Sequence, residues 1–399
     1  MMRKILFIVP DFYPNSTGFA NAALNLINSI KIYGNDKYDI GVFTTIPLGE
    51  NNELAEMEIV RYKNTIPDNR ITHAMVERKK YNELHKFINR FNPDVIFFET
   101  NTFPFIEMWI VKEFTSKVFV RIHSTADTEV PIFGAHKTLL DRVEYKKMKS
   151  FMKLVPNILS TSNYYLDFVK QYYLDGNVYS IWNNKSYDVL YNTAGVSKST
   201  ATVQTSNRFM TMGKMSDNGV TQKGITDILK AVYYMEKSNS LPNDFELIII
   251  GTGSKLNYIK NMISNLALDR YINLIERASH EEVLELIKSC KAIILMSRYE
   301  GQSMFITESI SLGKPLVISD NNGMQDMLRE GVNGFKVKTG DSKDIARKIQ
   351  IMMNLSNDEL KSFSQSSLDL YNLRYSNISV YNQFDEIMNL YFSQFSGGK

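Results

Sequence analysis

Ser297-Arg298-Tyr299-Glu300-Gly301-Gln302-Ser303-Met304-Phe305-Ile306-Thr307-Glu308-Ser309-Ile310-Ser311-Leu312-Gly313-Lys314-Pro315 is the stretch on which the fold turns. The apolar run Ala292 to Met296 leads into it and a polar loop with Gly301 follows; an apolar-periodic helix then stops at Gly313, just before a second apolar run. Strand, turn, helix and strand in that succession build an open parallel sheet with helices on its faces. The helix presents its first backbone N–H groups at the carboxyl end of the preceding strand, where their partial positive charge favours an anion.

Outward from this segment the same alternation runs through the chain. Short apolar runs predict strands at Ile5 to Val9, Tyr38 to Phe43, Val95 to Glu99, Val118 to Ile122 and Ile158 to Ser160. A second set falls at Phe209 to Met212, Glu246 to Ile250, Ile272 to Ile275, Ala292 to Met296, Pro315 to Ile318 and Gly334 to Val337. Amphipathic stretches between them, Ala20 to Ile32, Lys79 to Phe91, Thr226 to Lys237, Leu256 to Leu266 and Glu281 to Ser289, predict helices. From Thr193 to Ser206 seven of fourteen residues are Ser or Thr and no apolar period survives, so this segment reads as an exposed linker or long surface loop. The expected fold is α/β: two doubly wound, Rossmann-like parallel-sheet domains, 1–200 and 201–374, facing a central cleft. Residues 375–399 follow as a terminal helix, with Ile378, Tyr381, Phe384, Ile387, Met388 and Tyr391 at helical spacing.

The composition agrees with that division and removes other classes. A chain of 399 residues is too long for one ordinary core. Its 46 basic and 43 acidic residues are evenly spread over both halves, without the basic stripe of a nucleic-acid binder, so no nucleic-acid partner is expected. A single cysteine, Cys290, makes no internal disulfide and no multi-thiolate metal site, and suits a reducing compartment. Ile5 to Val9 ends at Pro10-Asp11, too short for a secretory apolar region, and no run reaches the ~18 apolar residues of a membrane span. A cytoplasmic location is the expectation.

Chemistry enters with Glu300, just before the helix terminus, and Glu308, a turn or two inside the helix. Two separated carboxylates suit the two ends of a nucleotide sugar: one bonds sugar hydroxyls or steadies an oxocarbenium-like centre, the other accepts both ribose hydroxyls. With seven residues between them, and Gly313-Lys314-Pro315 after, the pair resembles the E-x7-E signature of glycosyltransferase family 4, the retaining GT-B enzymes. Gly213-Lys214-Met215 and Gln222-Lys223-Gly224 resemble the family's Gly-Arg-Leu and Lys-Gly elements; Ile248 to Ile250 with Gly251-Thr252-Gly253 resembles its strand and Gly-x-Gly turn. Asn321-Asn322-Gly323 and Glu330-Gly331-Val332-Asn333-Gly334-Phe335 are similar to its closing stretch. The resemblance covers about residues 209–341.

It implies that Lys214 and Lys223 neutralise a donor diphosphate, helped by Gly213, Gly251, Gly253, Gly301 and the backbone N–H groups of Ser303, Met304 and Phe305. It further implies that Glu308 holds the ribose, that Glu300 contacts the transferred sugar as a catalytic group, and that a nucleotide diphosphate sugar, UDP-linked, is the donor. By the same resemblance the second domain binds the donor, and the first binds a glycan or lipid-linked acceptor in surface polysaccharide synthesis. Lys214 stands where the family has arginine and lacks its forked geometry, and Gln302-Ser303 replace the common aromatic and glycine. Two other readings stay open: a nucleotide-sugar epimerase of the same fold, and an NAD-dependent oxidoreductase. For the latter Gly251-Thr252-Gly253 lacks a third glycine near Leu256, and Glu276 lies 25 residues past Gly251.

The first half resembles the family more loosely. Ile5 to Val9, Pro10-Asp11-Phe12-Tyr13-Pro14 and Gly18 are similar to its opening strand and glycine loop, with one glycine where relatives have two. In Arg121-Ile122-His123-Ser124 the histidine takes the position that, by resemblance, faces the transferred sugar. Asp127-Thr128-Glu129 has the spacing of an acid-x-acid metal motif, but the two lysines and the helix terminus supply the charge a metal would bring, so neither metal nor cofactor is expected. Lys137 to Lys153 holds six basic and two acidic residues among apolar ones, the pattern of a helix that lies on an anionic membrane surface or of a solvated helix face. Peripheral association with the inner membrane face is the expectation it raises.

Overall fold

The computed structural model describes residues 2–13, 17–47, 57–63, 65, 72–99, 104–123, 150–173, 186–195, 203–320 and 323–396. Contacts divide the chain into two compact units, Met1–Gly195 with Asn377–Lys399, and Val196–Ser376. The divisions fall after Gly195 and Ser376, against 200 and 374 read from the sequence.

In the first unit β1 (Arg3–Ile8), β2 (Tyr38–Thr44), β3 (Glu58–Arg61), β4 (Val95–Phe98), β5 (Val118–Ile122), β6 (Asn157–Ser160) and β7 (Ser186–Val189) form one parallel sheet, ordered β3-β2-β1-β4-β5-β6-β7. Strands buried on both faces read as unbroken apolar runs, as Leu6, Phe7, Ile8 and Ile96, Phe97, Phe98 do. β3 and β7 escaped sequence reading because they are short edge strands, half exposed and with one or two apolar residues each. One face packs under the helix His73–Phe91 and the segment around Phe151 and Met152. Over the other lies the helix Asn377–Ser396: Phe384 meets Phe97 at 6.2 Å, Tyr391 meets Phe119 at 5.0 Å, and Tyr391 donates to the Ser116 carbonyl. Ile378, placed in the apolar stripe of this helix by spacing, is exposed, whereas Tyr381, Phe384, Ile387, Met388 and Tyr391 are buried.

The second unit repeats the plan with β8 (Arg208–Met212), β9 (Glu246–Ile250), β10 (Ile272–Ile275), β11 (Ala292–Leu295), β12 (Leu316–Ser319) and β13 (Gly334–Val337), ordered β10-β9-β8-β11-β12-β13 and parallel throughout. The chain winds outward from β8 in one direction and returns to β11 beside it, so the order reverses between β8 and β11. Ligands of doubly wound sheets bind at the carboxyl ends of the strands at such a reversal. In the first unit the equivalent reversal lies between β1 and β4.

The start of the expected linker is a correction. Thr193 and Ala194 are buried; Asn25 donates to the Thr193 carbonyl at 3.0 Å, and the Thr193 hydroxyl donates to Asn377 at 2.6 Å. A Ser/Thr-rich stretch reads as solvated, but its first hydroxyl here ties β7's exit to the returning helix. Asp127, Glu129 and 137–149 of the basic segment lie outside the described residues. Of the segment's end, Phe151 and Met152 belong to the first unit's core, while Leu154 is exposed. Among the described residues no helix is long and apolar enough to cross a membrane.

Candidate active site

At the β8/β11 reversal the sequence predictions meet most closely. β8 exits into Gly213-Lys214 and β11 into the Ser297–Glu300 turn. Between them the helix Asp217–Lys223 starts on a Ser216 cap and ends at Gly224, in the left-handed region with φ 63°. Arg298 fastens the turn to this helix: its backbone N–H donates to the Gln222 carbonyl at 2.8 Å, its guanidinium to the Thr221 carbonyl and to Asp227, each at 2.7 Å. Gln222 donates to the Tyr299 carbonyl at 3.3 Å, and Gly323 N–H to the Glu300 carbonyl at 2.8 Å. These bonds place the Lys223 ammonium against the Glu300 carboxylate, which also accepts from the Ser297 hydroxyl at 3.3 Å. Both partners of the ion pair are mostly buried, at 18% and 16% side-chain exposure.

The predicted glycines make room for this assembly. A Cβ on Gly213 would come within 2.6 Å of Lys223 Cγ, and one on Gly251 within 2.1 Å of the Gly213 carbonyl oxygen. Gly253 sits at φ 151° against the Met215 backbone. A side chain at Gly251 or Gly253 would push apart the exits of β8 and β9, and one at Gly213 would displace the Lys223 side chain. Lys214 is exposed, and no ion pair to it occurs among the described residues.

Gly301, Gln302 and Ser303 are buried as the turn enters the helix Met304–Ser311. Ser303 stands at the N-cap without a side-chain capping bond; its carbonyl accepts from the Thr307 N–H and hydroxyl, both at 2.9 Å. The first N–H groups of this helix therefore lack the usual Ser cap, and the helix carries no acid in its first turn to meet its dipole. Phe305 is buried and Met304 half buried. Glu308, one turn on, is 4% exposed and bonds His280 Nε2 at 3.0 Å. That bond raises the His280 pKa above its ordinary value, against the opposing effect of partial burial. His280 was not visible as a partner, since 28 residues separate it from Glu308 and it opens a helix on another strand connection.

Lys314 and Asn333, both inside the matching motifs, serve structure. Lys314 is buried and donates to the carbonyls of Lys288 and Cys290, at the end of the helix His280–Ser289; burial pulls its pKa down to about 8. Asn333 closes the turn before β13 through Met327 and Arg329.

In the first unit His123 follows β5 and Gly18 opens the helix Gly18–Gly34, capped by Thr17. Phe19 sets its ring edge-on to the His123 imidazole, with centroids 4.8 Å apart. His123 Nε2 lies 2.5 Å from the Glu99 carboxylate, which is fully buried and also accepts from Arg121 at 3.1 and 3.3 Å. Arg121, buried too, donates further to the Leu190 and Tyr191 carbonyls and to Asn192. Burial opposes the charge on Glu99, yet Arg121 and His123 hold its pKa below the usual carboxylate value. Burial and the Arg121 charge both push His123 below its ordinary value, so the cluster rests as a carboxylate between a guanidinium and a neutral imidazole. Glu99 and Arg121 were read as strand residues; a charged residue attached to an apolar run, just past the end of β4 and inside β5, was the available signal.

The two sheets, with their order reversals and glycine-lined exits, define a class of doubly wound two-domain proteins, and comparison with known proteins agrees. Residues 205–367 match the family model described as Glycosyl transferases group 1. An uncharacterized glycosyltransferase of Methanocaldococcus jannaschii is 28% identical over 142 residues, 36% of this chain and 37% of the relative. The UDP-Gal:alpha-D-GlcNAc-diphosphoundecaprenol alpha-1,3-galactosyltransferase of Escherichia coli is 23% identical over 171 residues, 43% of this chain and 42% of the relative. The matches thus span less than half the length of these curated relatives. Sucrose-phosphate synthase from Thermosynechococcus elongatus shares the fold with a TM-score of 0.78 at 12% identity, over 98% of this chain and 100% of that one. The fold is GT-B.

Proposed function

We propose that this protein is a retaining glycosyltransferase that moves a sugar from a UDP-linked sugar to a hydroxyl of a glycan or lipid-linked acceptor. The reading places it in the cytoplasm, in cell-surface polysaccharide synthesis, with a lipid-linked acceptor bringing it to the inner membrane face. The observation that carries it is the Lys223–Glu300 pair at the β8/β11 reversal, beside a helix terminus without a side-chain cap. As the bond between the anomeric carbon and the diphosphate breaks, negative charge grows on the leaving oxygen. Lys223, Lys214 and the N–H groups of Ser303 to Phe305 take up that charge, a fixed arrangement that needs little reorganisation. Lys223 turning to the diphosphate releases Glu300 to steady the positive anomeric centre. Glu308 accepts the ribose hydroxyls in exchange for His280. In the first unit, which takes the acceptor, His123 held on Glu99 is the group assigned to the reaction. On this reading no metal and no cofactor takes part.

A panel of nucleotide sugars, assayed for nucleotide release with and without candidate acceptors, tests the reading. Release with at least one UDP-sugar, unaffected by EDTA and abolished in Glu300→Ala, is the expected result. Equal turnover in Glu300→Ala, or no binding of any nucleotide sugar, would overturn it. Analysis of the sugar product separates transfer from epimerisation.

A further inference from the structure

A cavity of about 640 Å³ opens in the first unit, away from His123, between the carboxyl end of edge strand β3 and one face of the helix His73–Phe91. Arg61 and Lys63 line it from the strand side. From the helix come Lys79, Asn82, Glu83 and Lys86, whose spacing puts them on one face. Four of these six side chains are cationic and one is acidic; Glu83 is taken up by Lys86 at 2.8 Å. Lys63 and Lys79 have no ion pair among the described residues.

Arg61 supplies the anchored part. Its Nη1 donates to the carbonyls of Tyr13 and Ile46, at 2.8 and 3.0 Å, which fixes the guanidinium plane. Its Nη2 is buried without a hydrogen-bond partner. Nη2 itself is sealed from solvent, so Arg61 acts on the cavity it lines as a fixed cation in the wall. Net positive charge among the described lining residues, with a fixed guanidinium, suits a multiply charged oxyanion better than a single carboxylate. The volume, within the range of small-molecule sites, exceeds what one phosphate fills and leaves room for the group that bears it.

We infer that this cavity binds a phosphorylated ligand of the diphosphate class, with Arg61 as the fixed cation and Lys63 and Lys79 as the mobile ones. The inference does not depend on the activity proposed above. Isothermal titration with inorganic pyrophosphate tests it on the full chain carrying Lys214→Ala and Lys223→Ala, so that the second unit's lysines contribute nothing. Saturable binding is expected, weakened at least tenfold when Lys63→Gln and Lys79→Gln are added. Both added positions are exposed, and circular dichroism checks that the fold is kept. Arg61→Lys, which keeps charge but loses the fork, should weaken binding as well. Pyrophosphate affinity unmoved by all these changes, or no binding at all, would overturn the inference. Flotation with phosphatidylglycerol vesicles distinguishes the source of the phosphate: vesicle binding lost with the lysines, without any pyrophosphate binding, would assign the patch to a membrane surface and overturn the small-ligand site.

Discussion

His123 and His280 each bond a glutamate near the carboxyl end of a parallel sheet, one in each unit, yet their pKa values move in opposite directions. A carboxylate neighbour alone should raise both. Around His123 burial and the Arg121 guanidinium outweigh Glu99, whose charge Arg121 already neutralises. His280 is half exposed, and its bond to Glu308 outweighs desolvation. The third charge and the depth of burial set the sign. The first pair is therefore closed scaffolding around one imidazole. The second is an open contact, with its imidazole half exposed.

The largest effect that would break this contrast comes from removing the third charge. Arg121→Met leaves Glu99 fully buried beside a neutral ring, and losing one partner of such a pair costs about 3–5 kcal/mol. Urea unfolding of the first unit should show that loss, and NMR titration should show the His123 pKa rising from its lowered value, since burial remains but the Arg121 charge is gone. Adding Glu99→Leu should recover most of the stability. If the single change costs under ~1 kcal/mol, the scaffolding view is wrong. Lys223→Met is the counterpart in the second unit. There both partners keep some solvent contact and Glu300 still accepts from Ser297, so stability should fall by less than in the fully buried cluster, while sugar transfer on the proposed reading falls by ~10²–10³-fold. Loss of fold without selective loss of rate would mean that this pair, too, is structural. Glu308→Gln sharpens the comparison further: UDP affinity measured by calorimetry should fall about tenfold, about 1.4 kcal/mol, and the His280 pKa should return toward ~6.5.

The same contrast explains what could be read in advance. Central strands such as Ile5 to Val9 and Ala292 to Met296 announce themselves because burial on both faces leaves only apolar residues. Glu300, Glu308, Lys223 and the glycines were legible because local spacing carries them: each sits within a few residues of a strand end or helix start. The bonds that join these residues to their partners were not. Lys223 reaches Glu300 across 77 residues, His280 reaches Glu308 across 28, and Glu99 meets Arg121 across 22, all through strand order that no local pattern encodes. Lys314 shows that a place inside a motif does not by itself mark a site residue: it is a buried amine that bonds the Lys288 and Cys290 carbonyls. Thr193 shows that composition reports solvation only on average: a segment rich in Ser and Thr begins with a buried residue whose carbonyl accepts from Asn25 and whose hydroxyl donates to Asn377.

The smallest effect follows from the two imidazoles in the ligand-free chain. His280, with its folded pKa raised, adds stability that is fully present below the unfolded value of ~6.5 and is lost as pH rises through the folded value. His123, with its folded pKa lowered, does the reverse. The unfolded chain binds the proton more readily, so stability is whole above ~6.5 and declines as pH falls from there toward the folded value. Acidification from pH 7.5 to 5.5 should thus loosen the first unit while tightening the second. Hydrogen exchange read by mass spectrometry, peptide by peptide, resolves the units. Peptides of β5 and β6 should exchange faster at the lower pH, after correction for intrinsic rates, and those of the helix His280–Ser289 more slowly. His123→Asn should flatten the first trend alone and His280→Asn the second alone. Trends of the same sign in both units would show that the neighbouring carboxylate, and not burial with a third charge, governs both rings.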